Sequence, residues 1–229
     1  MARGFNNDKV IVSMVDRPDP VIVEVGSHLG TDTCRFLKLF PEVRLFCFEP
    51  DPRNVKAFRK YMFDPRLVLY PVAVSDRDAS DVRFYQAHNP ENWRKPSKKV
   101  PWIPVKEFRK RKLSRSSASS LKTGHSALDG CLKTKVDTIR LDTWFHGQNI
   151  DRVDVLWVDV QGSERDVLVG ASDVLKITRF IWIEYGELGY VGSMTRKQTI
   201  RLLSSRFNPV LGKSSSGAKG NLLFRSIDE

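Results

Sequence analysis

The sequence predicts an α/β fold: an open, mostly parallel sheet with an antiparallel strand at its C-terminal edge. Three observations predict it. Short β-branched or aromatic runs alternate with segments whose apolar residues recur at helical spacing, the pattern of buried strands joined by crossover helices. One such unit, residues 21–51, carries a glycine-bracketed turn between its first strand and its helix. Two runs near the C-terminus, Phe207 to Leu211 and Leu222 to Arg225, follow each other without a helical segment, which suggests an antiparallel pair.

The elements follow in order. Residues 1–20 read as a lead-in that ends in the rigid Arg17-Pro18-Asp19-Pro20. Val21 to Val25 is a buried strand ending at Gly26, and Gly26 and Gly30 bracket a tight turn. Cys34, Leu37 and Phe40 then predict a helix over 31–40, started at Thr31 and Asp32 and stopped by Pro41. Leu45 to Phe48 is the second strand, and it ends on Glu49. Asp51-Pro52 opens a helix to about Met62, with proline in its first turn. Residues 67–74 form the third strand and Val82 to Gln86 a further short one. Regular structure resumes over Val136 to Asp142. Asp154 to Val160 is strongly β-like, and Gln161 to Glu164 turns it into a helix with Val167 and Leu168 facing inward. A short helix begins near Gly170, Arg179 to Tyr185 is a core strand, and Thr195 caps a helix to Ser205.

A length of 229 residues suits one domain, 1–229, with a sizeable core. No apolar run is long enough to cross a bilayer, and the N-terminus lacks a signal-peptide core. Cys34, Cys47 and Cys131 are odd in number and share no C-x-x-C spacing, so reduced thiols in a cytoplasmic protein are expected, with no metal site. The net charge of +11 favours an anionic partner. Much of it lies in a compositional break, 88–135, poor in aliphatics and rich in serine, proline and basic residues. Between Arg94 and Arg115 ten lysines and arginines face only Glu107, with Trp93 and Trp102 interleaved or adjacent. Such a segment is a solvated insertion or a lid over an anionic substrate.

A glycine turn that opens a helix lets a ligand approach backbone N–H groups at the positive helix end. An acid at the tip of the next strand, here Glu49, can take both hydroxyls of a ribose. The spacing is G-x-x-x-G, without the middle glycine that a pyrophosphate needs. Glu24, two residues before Gly26, would repel a pyrophosphate but suits the ammonium of an amino-acid tail. Together these point to S-adenosylmethionine (SAM). In a parallel sheet the tips bearing Glu24 and Gly26, Glu49, Ser75 and Asp76, and Asp159 would converge on one edge.

At this point the chain resembles the FkbM-type SAM-dependent methyltransferases. The matching pieces are VIVEVGSHLGTDT (21–33), FCFEPDPRNVKAF (46–58), YPVAVSD (70–76), SRSSASSL (114–121), VDTIRLDTWF (136–145) and VDVLWVDVQGSERDVLVGA (153–171), in matching order and spacing. The resemblance implies a Rossmann-like, seven-strand class I methyltransferase fold. It also implies Glu24, Gly26 and Gly30 around the methionine part of SAM, Glu49 on the ribose, Ser75 and Asp76 near the adenine, and Asp159 at the methyl-transfer centre. It implies O-methylation of sugars or secondary metabolites.

A hydroxyl is a weak nucleophile until a base takes its proton. Asp159 is the first candidate base, or else a SAM-ammonium ligand or a turn cap. Glu184 is the second, or a surface acid paired with lysine. His125, in the insertion, is the third, or simply solvated. His28, inside the glycine turn, fits packing or a contact to SAM. Where the family often carries a lysine two residues before Asp159, this chain has Trp157. A second reading makes the basic insertion a grip on RNA for 2′-O-methylation, and a third a non-catalytic binding module.

Overall fold

Each face of the central sheet is buried because apolar residues occupy both faces of its strands. In Val21–Val25 (β1), Val21, Val23 and Val25 enter one core cluster while Ile22 enters the other. The computed structural model describes residues 8–87, 116–186, 189–211 and 219–228. The basic run 94–115 with Trp102, and Trp93 before it, lie outside the described residues.

The remaining strands are Arg44–Phe48 (β2), Leu67–Tyr70 (β3), Ala73–Val74 (β4), Ala79–Gln86 (β5), Leu132–Ile139 (β6), Val153–Val158 (β7), Thr178–Gly186 (β8), Phe207–Leu211 (β9) and Lys219–Ser226 (β10). The helices are Asp8–Val15 (α1), Thr31–Leu39 (α2), Pro52–Tyr61 (α3), Leu141–His146 (α4), Glu164–Val169 (α5) and Arg196–Leu203 (α6). Seven strands form the main sheet in the order β3-β2-β1-β7-β8-β10-β9. The pairs β3–β2, β2–β1, β1–β7 and β7–β8 are parallel, and β10 is antiparallel to both β8 and β9. Strand order reverses between β1 and β7, the position at which open α/β sheets place their ligands.

Local chemistry accounts for the elements that frame this edge. Asp51 caps α3 by accepting from the Arg53 N–H at 3.0 Å, and Pro52 occupies the first turn. Thr195 and Gln198 form a reciprocal capping box on α6. Phe36 and Phe58 are fully buried against the sheet, and Phe48 is fully buried within it. Such a side chain contributes about 1.5–3 kcal/mol of burial free energy.

The structure departs from the sequence reading in several places, among them β6, which starts at Leu132 inside the expected insertion 88–135, and α4, which begins at Leu141 within the run read as Val136 to Asp142. The expected strand over 67–74 divides at Pro71, which has no N–H to donate to a ladder. Its second piece, β4, joins β6 and β5 in a separate three-stranded sheet. The lead-in contains α1, which seats Ile11 and Val15 on Phe36 and its cluster. Its residues DKVIVSMV are weak helix formers, so tertiary packing decides the conformation. Within the described residues no helix is long and apolar enough to cross a membrane.

Candidate active site

The tips of β1, β2 and β7 are locked together by main-chain hydrogen bonds. Gly26 and Ser27 donate to the Phe48 carbonyl at 2.9 and 3.0 Å, and Asp159 donates to the Val25 carbonyl at 3.0 Å. Gly26 has φ +91°, and a Cβ there would sit 1.9 Å from the Asp159 carbonyl oxygen. Glycine is therefore required here by the approach of β7 as well as by the turn. Gly30, at φ +81°, closes the turn against Met62 and Phe58. The N–H groups of Gly26, Ser27, His28 and Gly30 all bond within the protein, to Phe48, Phe48, Glu49 and Ser27. The turn thus shapes a wall whose four N–H groups are already satisfied within the protein.

Glu24 is buried, and its carboxylate accepts from the Thr33 hydroxyl at 2.6 Å and the Cys47 thiol at 3.3 Å. Burial, with repulsion from Asp32, pushes its pKa up to about 8. Glu49 accepts from the N–H groups of His28 and Asp51, both at 2.8 Å, and from the Asn54 amide at 3.2 Å. Burial and neighbouring Asp51 raise it to about 7. His28 lies between the glycine turn and the segment that starts at Ser116, its Nε2 2.8 Å from the Ser116 hydroxyl. Burial lowers its pKa to about 4, so the ring is neutral.

Two adjoining chambers open beside these tips. The wider one, about 590 Å³, is lined by Glu24, Ser27, Asp32, His125, Trp157 and Lys219 among others. The inner one is narrow, about 50 Å³, and is walled by Phe48, Glu49, Val72–Val74 and Phe84, with Ser116–Ser119 closing over it. Gly26, His28, Asp159 and Gln161 line both chambers. Asp51 anchors the closing turn: it accepts from the Ser119 hydroxyl at 3.0 Å and the Gln86 amide at 2.8 Å, and it pairs with Arg53 at 2.6 Å.

Asp159 follows β7 and accepts from the Gln161 amide, which also donates to Glu184 at 3.1 Å. Burial and repulsion from Glu184 raise Asp159 to about 7. Glu184 is raised too, by burial, against the pull of Lys219 at 3.1 Å. Glu164 chelates the Gly162 N–H with both oxygens, and burial raises it to about 7. His125 lines the wide chamber and stacks on Tyr190, ring centroids 4.7 Å apart. Trp157 is sandwiched against Trp182 at 3.8 Å and forms a wall of the same chamber.

The structure therefore brings Glu24, Gly26, His28, Glu49, Asp159 and His125 to the two chambers, while Gly30 and Glu184 stand just behind. Ser75 and Asp76 do not line either chamber. Ser75 donates its N–H to Ile139 and its hydroxyl to Asp76, and its carbonyl packs on Gly170. The strand break at Pro71 gives the wall to Val72–Val74 instead. Sequence reasoning missed Ser27, Gln161, Ser163 and Lys219. Gln161 and Ser163 lie within the D-V-Q-G-S-E piece, but a glutamine and a serine carry no chemistry that singles them out. Among the described residues the buried hydroxyls of Ser27 and Ser163 have no hydrogen-bond partner, yet each lines a chamber. Unpaired buried hydroxyls beside buried acids fit a polar, cation-bearing nucleoside.

The methyltransferase FkbM domain matches residues 24–206. The chain belongs to the FkbM methyltransferase family. It is an S-adenosylmethionine-dependent methyltransferase. A curated relative, the 2-O-methyltransferase NoeI of Sinorhizobium fredii (strain NBRC 101917 / NGR234), is 35% identical over 218 residues, 94% of this chain and 83% of that one. Two solved structures share the fold with this FkbM domain. One, a "putative rRNA-methylase" from Clostridium thermocellum, has a TM-score of 0.52 at 11% identity, covering 97% of this chain and 94% of its own. The other, the N-terminal domain of EvdMO1 with SAH bound, has a TM-score of 0.50 at 10% identity, covering 96% and 79%.

Proposed function

We propose that this FkbM-family protein transfers a methyl group from SAM to a hydroxyl of a glycan or small-molecule acceptor. The observation that carries this reading is the placement of two buried acids, Glu24 and Glu49, and the half-buried Asp159 around adjoining chambers at the strand-order reversal. Glu24 would take the ammonium of the methionine tail. Glu49 would take the ribose hydroxyls with its remaining acceptor capacity, and Val72–Val74 and Phe84 would flank the adenine. Admitting a nucleoside to the inner chamber requires the Ser116–Ser119 turn to lift, which gives up the His28–Ser116 and Asp51–Ser119 hydrogen bonds.

Bound there, SAM supplies a methyl carbon on a sulfonium, so that an O–C bond forms as the C–S bond breaks with its electron pair left on sulfur. The chain's task is then alignment and proton removal. Asp159, oriented by Gln161 at the mouth of both chambers, takes the hydroxyl proton. Its pKa near 7 suits a base that must accept a proton at neutral pH and release it to solvent. Trp157 gives the acceptor an apolar wall. NoeI, called a 2-O-methyltransferase, supports a hydroxyl as the acceptor group.

Calorimetry with SAM, followed by transfer of tritiated methyl from SAM to panels of glycans, small alcohols and RNA, tests the reading. Label in glycans or alcohols supports it, and label confined to RNA overturns the acceptor class. The basic run 94–115 favours the RNA reading. That reading requires binding that weakens steeply with salt.

A further inference from the structure

The wide chamber has a cation that no motif announced. β10 runs antiparallel to β8, so its first residue, Lys219, arrives at the edge where β1, β2, β7 and β8 end. The register pairs Trp157 with Trp182 and Asn221 with Glu184, with Lys219 opposite Gly186. Alternation then puts Asp159, Glu184 and Lys219 on one face, directly beyond the stacked tryptophans. The contacts agree. Lys219 Nζ lies 3.1 Å from one Glu184 oxygen, Gln161 Nε2 lies 3.1 Å from the other, and the same amide donates to Asp159. Glu184 is largely shielded, with 16% of its side chain exposed, while Lys219 remains 54% exposed at the chamber rim. Trp157 stands two residues before Asp159, so the positive charge at this centre comes from a strand sixty residues further on in the chain.

We propose that Lys219 is a positioning residue for methyl transfer: its ammonium holds Glu184 as a carboxylate, Glu184 fixes the Gln161 amide, and that amide aims Asp159 into the chamber. Two carboxylates joined through one amide repel each other, and an adjacent cation is what lets both lose their protons near neutrality. Other titratable groups face the pair: Asp32 of α2, Glu164 of α5, and His125 and Tyr190 on the loops that close over them. The acids among these oppose ionisation of the pair, which leaves Lys219 as its counter-charge among the described residues. The proposal rests on the methyl-transfer reading for the purpose of the network, though not for its existence.

The test therefore begins without SAM or acceptor. Protein carrying ¹³C at its Asp and Glu carboxyls is titrated by NMR, with Asp159→Asn and Glu184→Gln used to assign the pair. In Lys219→Met both carboxyl titrations are expected to move to higher pH, and Lys219→Arg is expected to restore them. The same upward move is expected in the acid limb of the transfer rate, with SAM affinity within about threefold of wild type, because Lys219 contacts Glu184 and neither Glu24 nor Glu49. Unmoved titrations in a folded Lys219→Met protein overturn the proposal, and if that variant does not fold, Lys219→Gln carries the same criterion. Methyl transfer with unmoved titrations removes the role of Lys219 and leaves the methyl-transfer reading intact. Moved titrations in a protein that transfers methyl to no acceptor remove that reading, and the catalytic purpose of the network with it.

Discussion

The two halves of the site are built by different means. At the tips of β1 and β2, Glu24 and Glu49 are held by groups close in the fold and mostly close in sequence: Thr33, Cys47, His28, Asp51 and Asn54. Main-chain N–H groups supply two of the contacts to Glu49, so that half is rigid. At the tips of β7, β8 and β10, side chains hold side chains: Asp159 to Gln161, Gln161 to Glu184, Glu184 to Lys219. A preformed acid cradle suits a constant cofactor, and an adjustable polar chain suits a proton that must move. The contrast teaches that binding and chemistry should be separable by mutation.

The largest expected effect tests that separation directly. Asp159→Asn keeps the size of the side chain and removes its basicity. Transfer of tritiated methyl should fall by about 10²–10⁴, the usual contribution of a general base. SAM affinity by calorimetry at pH 6, where Asp159 with its pKa of about 7 is mostly protonated, should stay within about threefold. Loss of SAM binding with unchanged turnover per bound complex would make Asp159 a cofactor ligand and erase the distinction between the halves.

Next comes the hinge between them. Gly26→Ala would drive a Cβ into the Asp159 carbonyl, and it would also hold a left-handed φ. Strain and overpacking together predict about 2–5 kcal/mol of lost stability in urea unfolding. Gly130→Ala is the control, since it has φ +68° with nothing within 4 Å of the added Cβ. It should lose only about 1 kcal/mol. Equal losses at the two positions would show that the joint between β1 and β7 is not tight.

These halves were unequally legible in the sequence. The order of elements, the glycine turn, Glu24, Glu49 and the Asp51-Pro52 helix start are local patterns, and local patterns survive the step from sequence to fold. The parallel sheet with its antiparallel C-terminal partner followed from apolar runs and from the missing helix between the last two strands. Lys219 was not legible, because it reaches the site through the register of β10 on β8, and register is a property of the folded pair. The strand division at Pro71 was written in the sequence, and beyond it Val72–Val74 rather than Ser75 and Asp76 line the inner chamber. Helix α1 was hidden because packing on Phe36, rather than propensity, holds it.

A smaller effect probes the rigid half alone. Glu49→Ala removes the acceptor proposed for the ribose hydroxyls and leaves the donors on His28, Asp51 and Asn54 unanswered. Charge-assisted hydrogen bonds of this kind contribute about 1.5–3 kcal/mol each. SAM affinity should fall tenfold or more, about 1.4 kcal/mol at the least. Calorimetry that finds the affinity unchanged removes the ribose assignment.

The smallest effect, a pH trend, compares the halves in one titration. Glu24 near 8 and Glu49, Asp159 and Glu164 near 7 all lie above their unfolded values. The folded chain therefore binds more protons than the unfolded chain between about pH 4.5 and 8. Stability carried by the protonated acids is complete below that window and is lost as pH rises through it, so the melting temperature of the free protein should decline from pH 5.5 to 8 by this linkage. Saturating SAM should reverse the trend. Its ammonium and sulfonium charges favour ionised Glu24 and Asp159, so the gain in Tm on adding it should be larger at pH 8 than at pH 6. SAH lacks the sulfonium charge but keeps the ammonium. Its gain should follow the titration of Glu24 and be less sensitive to Asp159→Asn than that of SAM. Scanning calorimetry of both proteins with both ligands decides this, and a pH-independent gain for SAM would mean that neither acid meets its positive charges.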